Sequence, residues 1–139
     1  MQVFKSHSTD QTKKIALEIS KQFQGGVIAL SGELGAGKTT FVQGFAEGLN
    51  IKDKIISPTF VLVRQHKIPK SKNILFHLDL YRLENIKDIQ NLGISDFLVN
   101  PNNIVLVEWA EKAKKILPQK ITTITITTLN ETTREIIIT

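Results

Sequence analysis

Residues Ser31 to Phe41 read SGELGAGKTTF. Within them Gly32, Gly37, Lys38 and Thr39 satisfy the pattern G-x-x-x-x-G-K-[ST]. The apolar run Val27–Ser31 leads into the stretch, and Thr39–Leu49 leaves it with a helical pattern. Strand, glycine loop and helix in that order are what a phosphate-binding loop requires. Glycines let backbone N–H groups turn towards phosphate oxygens with no Cβ in the way. The helix start adds unpaired N–H groups and a partial positive charge. Lys38 has the reach for β- and γ-phosphates, and the Thr39 hydroxyl can ligate Mg²⁺. A chance glycine turn before a helix is the alternative, and an eight-residue pattern met at all four of its specified positions in this context argues against it.

Upstream, Gln2–Lys5 reads as a short strand. Ser8 with Gln11 three residues later is a capping box. It predicts a helix over Thr12–Phe23 with Ile15, Ile19 and Phe23 on one face, stopped by Gly25-Gly26. Downstream, Pro58 keeps Ser57 out of the helical region, so SPTF (Ser57–Phe60) is a loop. FVLVRQHKI and NILFHLDL flank a lysine-rich turn with Pro69 and read as a hairpin. Glu84–Gly93 is a short helix with a glycine stop, Asn103–Trp109 a buried strand, and Ala110–Ile116 one or two helical turns ended by Pro118. The tail alternates Ile124 and Ile126 with threonines and turns at Asn130-Glu131 into a last strand. The expectation is a single P-loop NTPase-like α/β domain over residues 1–139, a three-layer sandwich with a mixed, parallel plus antiparallel, β-sheet.

A P-loop protein needs an acid at the end of a neighbouring buried strand. Asp79 ends NILFHLD and Glu108 ends NIVLVE. Either could touch the metal or its water, and either could be a surface acid. Thr59 could sense a γ-phosphate as switch threonines do, or simply cap a proline turn. His77 lies two before Asp79, on the same side of the strand. With no third ligand evident, a strand histidine with a hydrogen-bond partner is the better reading. Trp109, the one tryptophan, suits either core packing or a contact with a partner or nucleotide.

The totals bound the rest. The 139 residues are 41% hydrophobic, enough for one core, and contain no cysteine, which excludes disulfides and thiolate metal sites. No apolar run approaches the roughly 18–20 residues that span a bilayer, and MQVFKSHSTD lacks an apolar signal core. A soluble cytoplasmic protein with no membrane partner is expected. The net charge is +5, but only Arg64, Arg82 and Arg134 among 18 basic residues are arginine. Scattered lysines with few arginine forks and aromatics fit a solvated surface better than a nucleic-acid groove.

SGELGAGKTTF, SPTF, FHLDLYRL, LGISDFL and LVEWAEK, in this order and spacing, resemble the TsaE family (formerly YjeE) over nearly the whole chain. These are small P-loop ATPases needed for N6-threonylcarbamoyladenosine formation in bacterial tRNA. The resemblance implies that Gly35, Ala36, Gly37, Lys38, Thr39 and Thr40 bind the phosphates of ATP, and that Thr39 and Glu108 hold Mg²⁺. It makes Asp79 the functional acid and Thr59 the switch-like threonine. Thr9, within STDQT, and Thr133 match nucleotide-contacting positions. Ala110 departs from the proline that many relatives carry after VEW. The family works with the TsaD–TsaB pair, supporting repeated modification of adenosine 37 without transferring the group itself, so tRNA is met through that complex. All three arginines lie outside the P-loop elements, and an arginine finger from a partner is worth about 10³–10⁵ in rate. Slow hydrolysis alone and faster hydrolysis in the complex are therefore expected.

Two rival readings share the P-loop. A small-molecule kinase would close an arginine-bearing lid, for which three scattered arginines are poor material. A nucleotide-gated binding module would need ATP without turnover. A GTPase is disfavoured because the sequence has no N-K-x-D motif.

Overall fold

The structure, a computed structural model, describes residues 1–33 and 35–139; Leu34, inside the quoted stretch, lies outside the described residues. The elements are β1 (Gln2–Ser6), α1 (Thr9–Gln22), β2 (Gly26–Gly32), α2 (Lys38–Gly48), β3 (Val63–Lys67), β4 (Ile74–Asp79), α3 (Ile86–Gln90), α4 (Ile94–Phe97), β5 (Ile104–Glu108), β6 (Thr122–Thr128) and β7 (Arg134–Ile138). The strands hydrogen-bond in the order β1-β7-β6-β2-β5-β4-β3, and the sheet is mixed, as the sequence led us to expect. The chain forms two compact units: Met1–Phe23, Leu30–Ile56 and Thr123–Thr139 make the first, and Gln24–Ala29 and Ser57–Thr122 the second.

In the first unit, the Ser8 side chain accepts from the Gln11 N–H at 3.1 Å while the Gln11 side chain accepts from the His7 N–H at 2.7 Å. This reciprocal cap starts α1 at Thr9, three residues earlier than the apolar spacing predicts. The buried stripe of α1 also differs from the predicted face. Thr12, Ala16 and Ser20 are buried, while Ile15 and Ile19 are only half-buried. The reason lies in α2. A Cβ on Gly44 would sit 2.3 Å from the Lys13 carbonyl oxygen, and one on Gly48 would sit 2.6 Å from that of Leu17. Two glycines one turn apart let the helix backbones approach, and such an approach requires small residues on the facing side of α1. Phe23 meets Phe45 edge-on, with ring centroids 6.1 Å apart. β1 and β6 both pair antiparallel with β7, with Ile124, Ile126 and Ile136 buried.

In the second unit, β3 pairs antiparallel with β4, and β4 pairs parallel with β5. All five residues of β5 are buried, the first four as the continuous apolar run IVLV foretells. The hairpin starts later than predicted. Phe60–Leu62 is a turn, in which the Pro58 carbonyl accepts from the N–H groups of both Val61 and Leu62, and Leu62 has φ 70°. α3 ends at Gln90, with Asn91 as its C-cap, three residues before the predicted glycine stop. Gly93, with φ 84°, instead starts a further turn, α4, that the sequence reading missed. β5 stops at Glu108 because Trp109 takes φ 61°, and Ala110–Ala113 is a single 3-10 turn. Among the described residues, no helix is long and apolar enough to cross a membrane.

Candidate functional site

The phosphate loop belongs to the first unit. Gly37 caps α2 with φ 106° and, having no side chain, makes no side-chain cap hydrogen bond to the first turn. A Cβ added to Gly35 or Gly37 meets nothing within 4 Å, so within the chain itself the demand for glycine comes from the backbone angles, φ 79° and 106°. Gly32 is different: a Cβ there would lie 2.8 Å from the Ile126 carbonyl oxygen. Ala36 is buried and donates its N–H to the Glu33 carbonyl at 2.9 Å. Lys38, Thr39 and Thr40 form the first turn of α2 and are partly exposed.

Arg134 is the residue that sequence reasoning misplaced. It lies in β7, yet its Nε donates to the Ala36 carbonyl at 3.2 Å and its Nη2 to that of Gly35 at 3.5 Å. Nη1 donates to the carbonyls of Asn130 and Thr133 at 2.8 and 3.2 Å. One guanidinium thus ties the last hairpin to the loop. Because a trans peptide sets its C=O and N–H on opposite sides, holding the Ala36 carbonyl turns the Gly37 N–H the other way. Spacing could not reveal a pair 98 residues apart. Thr133 sits in the β6–β7 turn, where the Asn130 side chain accepts from its N–H at 2.9 Å. Its hydroxyl lies 3.4 Å from His7 Nδ1. His7 is two residues before Thr9, so both predicted nucleotide-contacting segments meet at this junction. Thr9 itself is exposed at the first position of α1.

The acids belong to the second unit. Asp79 and Glu108 are direct partners in the β4–β5 register, and both are buried. Thr59 donates from Oγ1 to Asp79 Oδ2 at 2.9 Å, while the Tyr81 N–H donates to Asp79 Oδ1 at 2.9 Å. Since the Thr59 proton goes to Asp79, the Ser57 hydroxyl, 2.7 Å away, donates to Thr59. His77 Nε2 lies 2.9 Å from Glu108 Oε2, which supplies the hydrogen-bond partner the sequence reading expected. Trp109 is not core. It is 39% exposed, and its ring lies 5.0 Å from that of Tyr81. Lys112 Nζ stands over both rings at 6.0 and 5.5 Å and donates to the Leu83 carbonyl at 3.0 Å.

Among the described residues, no three His, Asp or Glu side chains gather as a metal cage. The hydroxyl of Thr39 in the first unit, and the carboxylates of Asp79 and Glu108 in the second, are each oxygen ligands of the type Mg²⁺ takes, commonly one or two carboxylates plus substrate phosphates and water.

The family model for the threonylcarbamoyl adenosine biosynthesis protein TsaE matches residues 6–136. The chain belongs to the TsaE family. It is 38% identical over 131 residues to the tRNA threonylcarbamoyladenosine biosynthesis protein TsaE of Bacillus subtilis, covering 91% of this chain and 78% of that one. It is 39% identical over 93 residues to the TsaE protein of Haemophilus influenzae, covering 67% of this chain and only 57% of that one. The crystal structure of Bacillus subtilis YdiB superposes with a TM-score of 0.79 at 32% identity, covering 97% of this chain and 82% of that one. As a TsaE-family protein, the chain is assigned to tRNA threonylcarbamoyladenosine biosynthesis.

Proposed function

We propose that the chain is a Mg²⁺-dependent ATPase that supports t6A37 formation in tRNA by sustaining the turnover of a TsaD–TsaB transferase pair in the cytoplasm. The observation that carries the reading is the start of α2: a helix with no side-chain cap, entered through glycines at positive φ and followed at once by Lys38 and Thr39. In this reading Gly35, Ala36, Gly37, Lys38, Thr39 and Thr40 bind the phosphates, and Thr9 and Thr133 contact the rest of the nucleotide. Thr39 and Glu108 are the proposed Mg²⁺ ligands. When bound, the ion supplies charge neutralisation at the phosphates. Asp79 and Thr59 are proposed to position the γ-phosphate or the attacking water.

Arg134 is engaged by backbone carbonyls in the structure, which supports a partner-supplied cation for the transition state. The test is ATP hydrolysis by the chain alone and with TsaB and TsaD, with Lys38→Ala as the control. A slow, Lys38-dependent rate that the partners raise is expected. A rate unchanged by partners overturns the coupling, and ADP release driven by a metabolite instead would favour a kinase.

A further inference from the structure

We infer that His77 is a positioning residue for Glu108, holding its carboxylate in the orientation that metal binding uses; this rests on the proposed Mg²⁺ role of Glu108. His77 has no exposed surface, and Glu108 is buried on the adjacent strand. The β4–β5 register places His77 beside Leu106, so Glu108 is two residues further along and the imidazole reaches it diagonally. The bond is short, Nε2 to Oε2 at 2.9 Å.

The chemistry fixes its direction. A carboxylate oxygen only accepts, so Nε2 carries the donated proton. His77 Nδ1 is buried with no hydrogen-bond partner among the described residues. A ring with Nδ1 as a bare lone pair tolerates that burial better than one with a second N–H left unpaired. A buried histidine with one nitrogen orphaned gains nothing for the core that leucine or phenylalanine would not supply. What it adds is one directed donor to one oxygen of Glu108. Groups that orient metal-binding side chains in this way typically contribute about 10–100-fold in metal affinity.

The test uses the full chain with ADP and Mn²⁺ as a spectroscopic probe, titrated by electron paramagnetic resonance, with thermal melts alongside. His77→Leu removes the donor at similar volume, and His77→Gln keeps a donor near the Nε2 position. The expected result is an Mn²⁺ dissociation constant about tenfold higher in H77L, largely restored in H77Q, with ADP affinity in metal-free buffer unchanged. H77L binding Mn²⁺ as tightly as the wild type overturns the role of His77 alone. Wild-type protein that binds no Mn²⁺ with ADP overturns the metal reading and this one together. If H77L fails to fold, the His77 Nε2–H resonance of the wild type decides: it shifts when Mg²⁺ and ADP are added together but not with ADP alone, and no shift sinks the proposal.

Discussion

Thr59 Oγ1 donates to Asp79 Oδ2 at 2.9 Å, joining a proline loop to the end of a buried strand twenty residues later. Asp79 accepts on both oxygens, because its Oδ1 receives the Tyr81 N–H. An asparagine at this position keeps the shape but offers only one accepting oxygen. Asp79→Asn is expected to lose one of the two bonds, at about 1–3 kcal/mol, read by urea denaturation. ATP turnover should fall at least tenfold. Retention of full activity would remove Asp79 from the chemistry.

Thr59 separates the hydroxyl from the fold. Thr59→Ser keeps the donor and should keep most of the activity. Thr59→Val keeps the volume and should lose turnover at least tenfold, with ATP affinity much less affected. The measurement is kcat against KM for both variants.

Lys38→Ala should remove ligand stabilisation. Wild-type protein with ATP at about 100 times its dissociation constant should gain about 2.7 kcal/mol against unfolding, and the variant close to none at the same concentration. Thermal melts with and without nucleotide check this.

The α1–α2 contact makes a prediction about stability alone. Alanine is the better helix former by about 1 kcal/mol, yet at Gly44 its Cβ would meet the Lys13 backbone at 2.3 Å. Overpacking against backbone costs about 1–3 kcal/mol or more and outweighs the propensity gain. Gly44→Ala should lower the urea midpoint, and a raised midpoint would mean that the helices can separate freely.

Arg134→Gln should weaken nucleotide binding about tenfold, less than the roughly 3–6 kcal/mol of two charge-assisted hydrogen bonds, because these bonds brace the loop and do not reach the ligand. Arg134→Lys should recover part of it, because one ammonium cannot fork to both oxygens. Binding of a fluorescent ADP analogue reports both.

Local chemistry made much of this readable from sequence. The Ser8–Gln11 cap, the glycine loop, the buried β5 run and the acids at the ends of β4 and β5 each announce themselves within a few residues. What stayed hidden was long-range. Ile15 and Ile19 repeat at helical spacing, but only the glycines of a different helix explain why Thr12, Ala16 and Ser20 take the buried side. Arg134 appeared remote because sequence distance does not show which carbonyls a guanidinium reaches. Trp109 follows a buried strand directly, and only its positive φ turns it outward to Tyr81 and Lys112.

The pairing of β1 with β7 has a bearing on synthesis. Gln2 lies opposite Ile138, so β1 finds its strand partner only after β7 has been made. The first unit draws on three separated segments, the last being Thr123–Thr139. A ribosome will therefore expose β1, α1 and the phosphate loop well before the strand that joins them and the arginine that braces the loop. Competence to hold a nucleotide should arrive late, once β7 has been made, so products truncated before β7 that carry the full SGELGAGKTTF stretch should not compete for ATP.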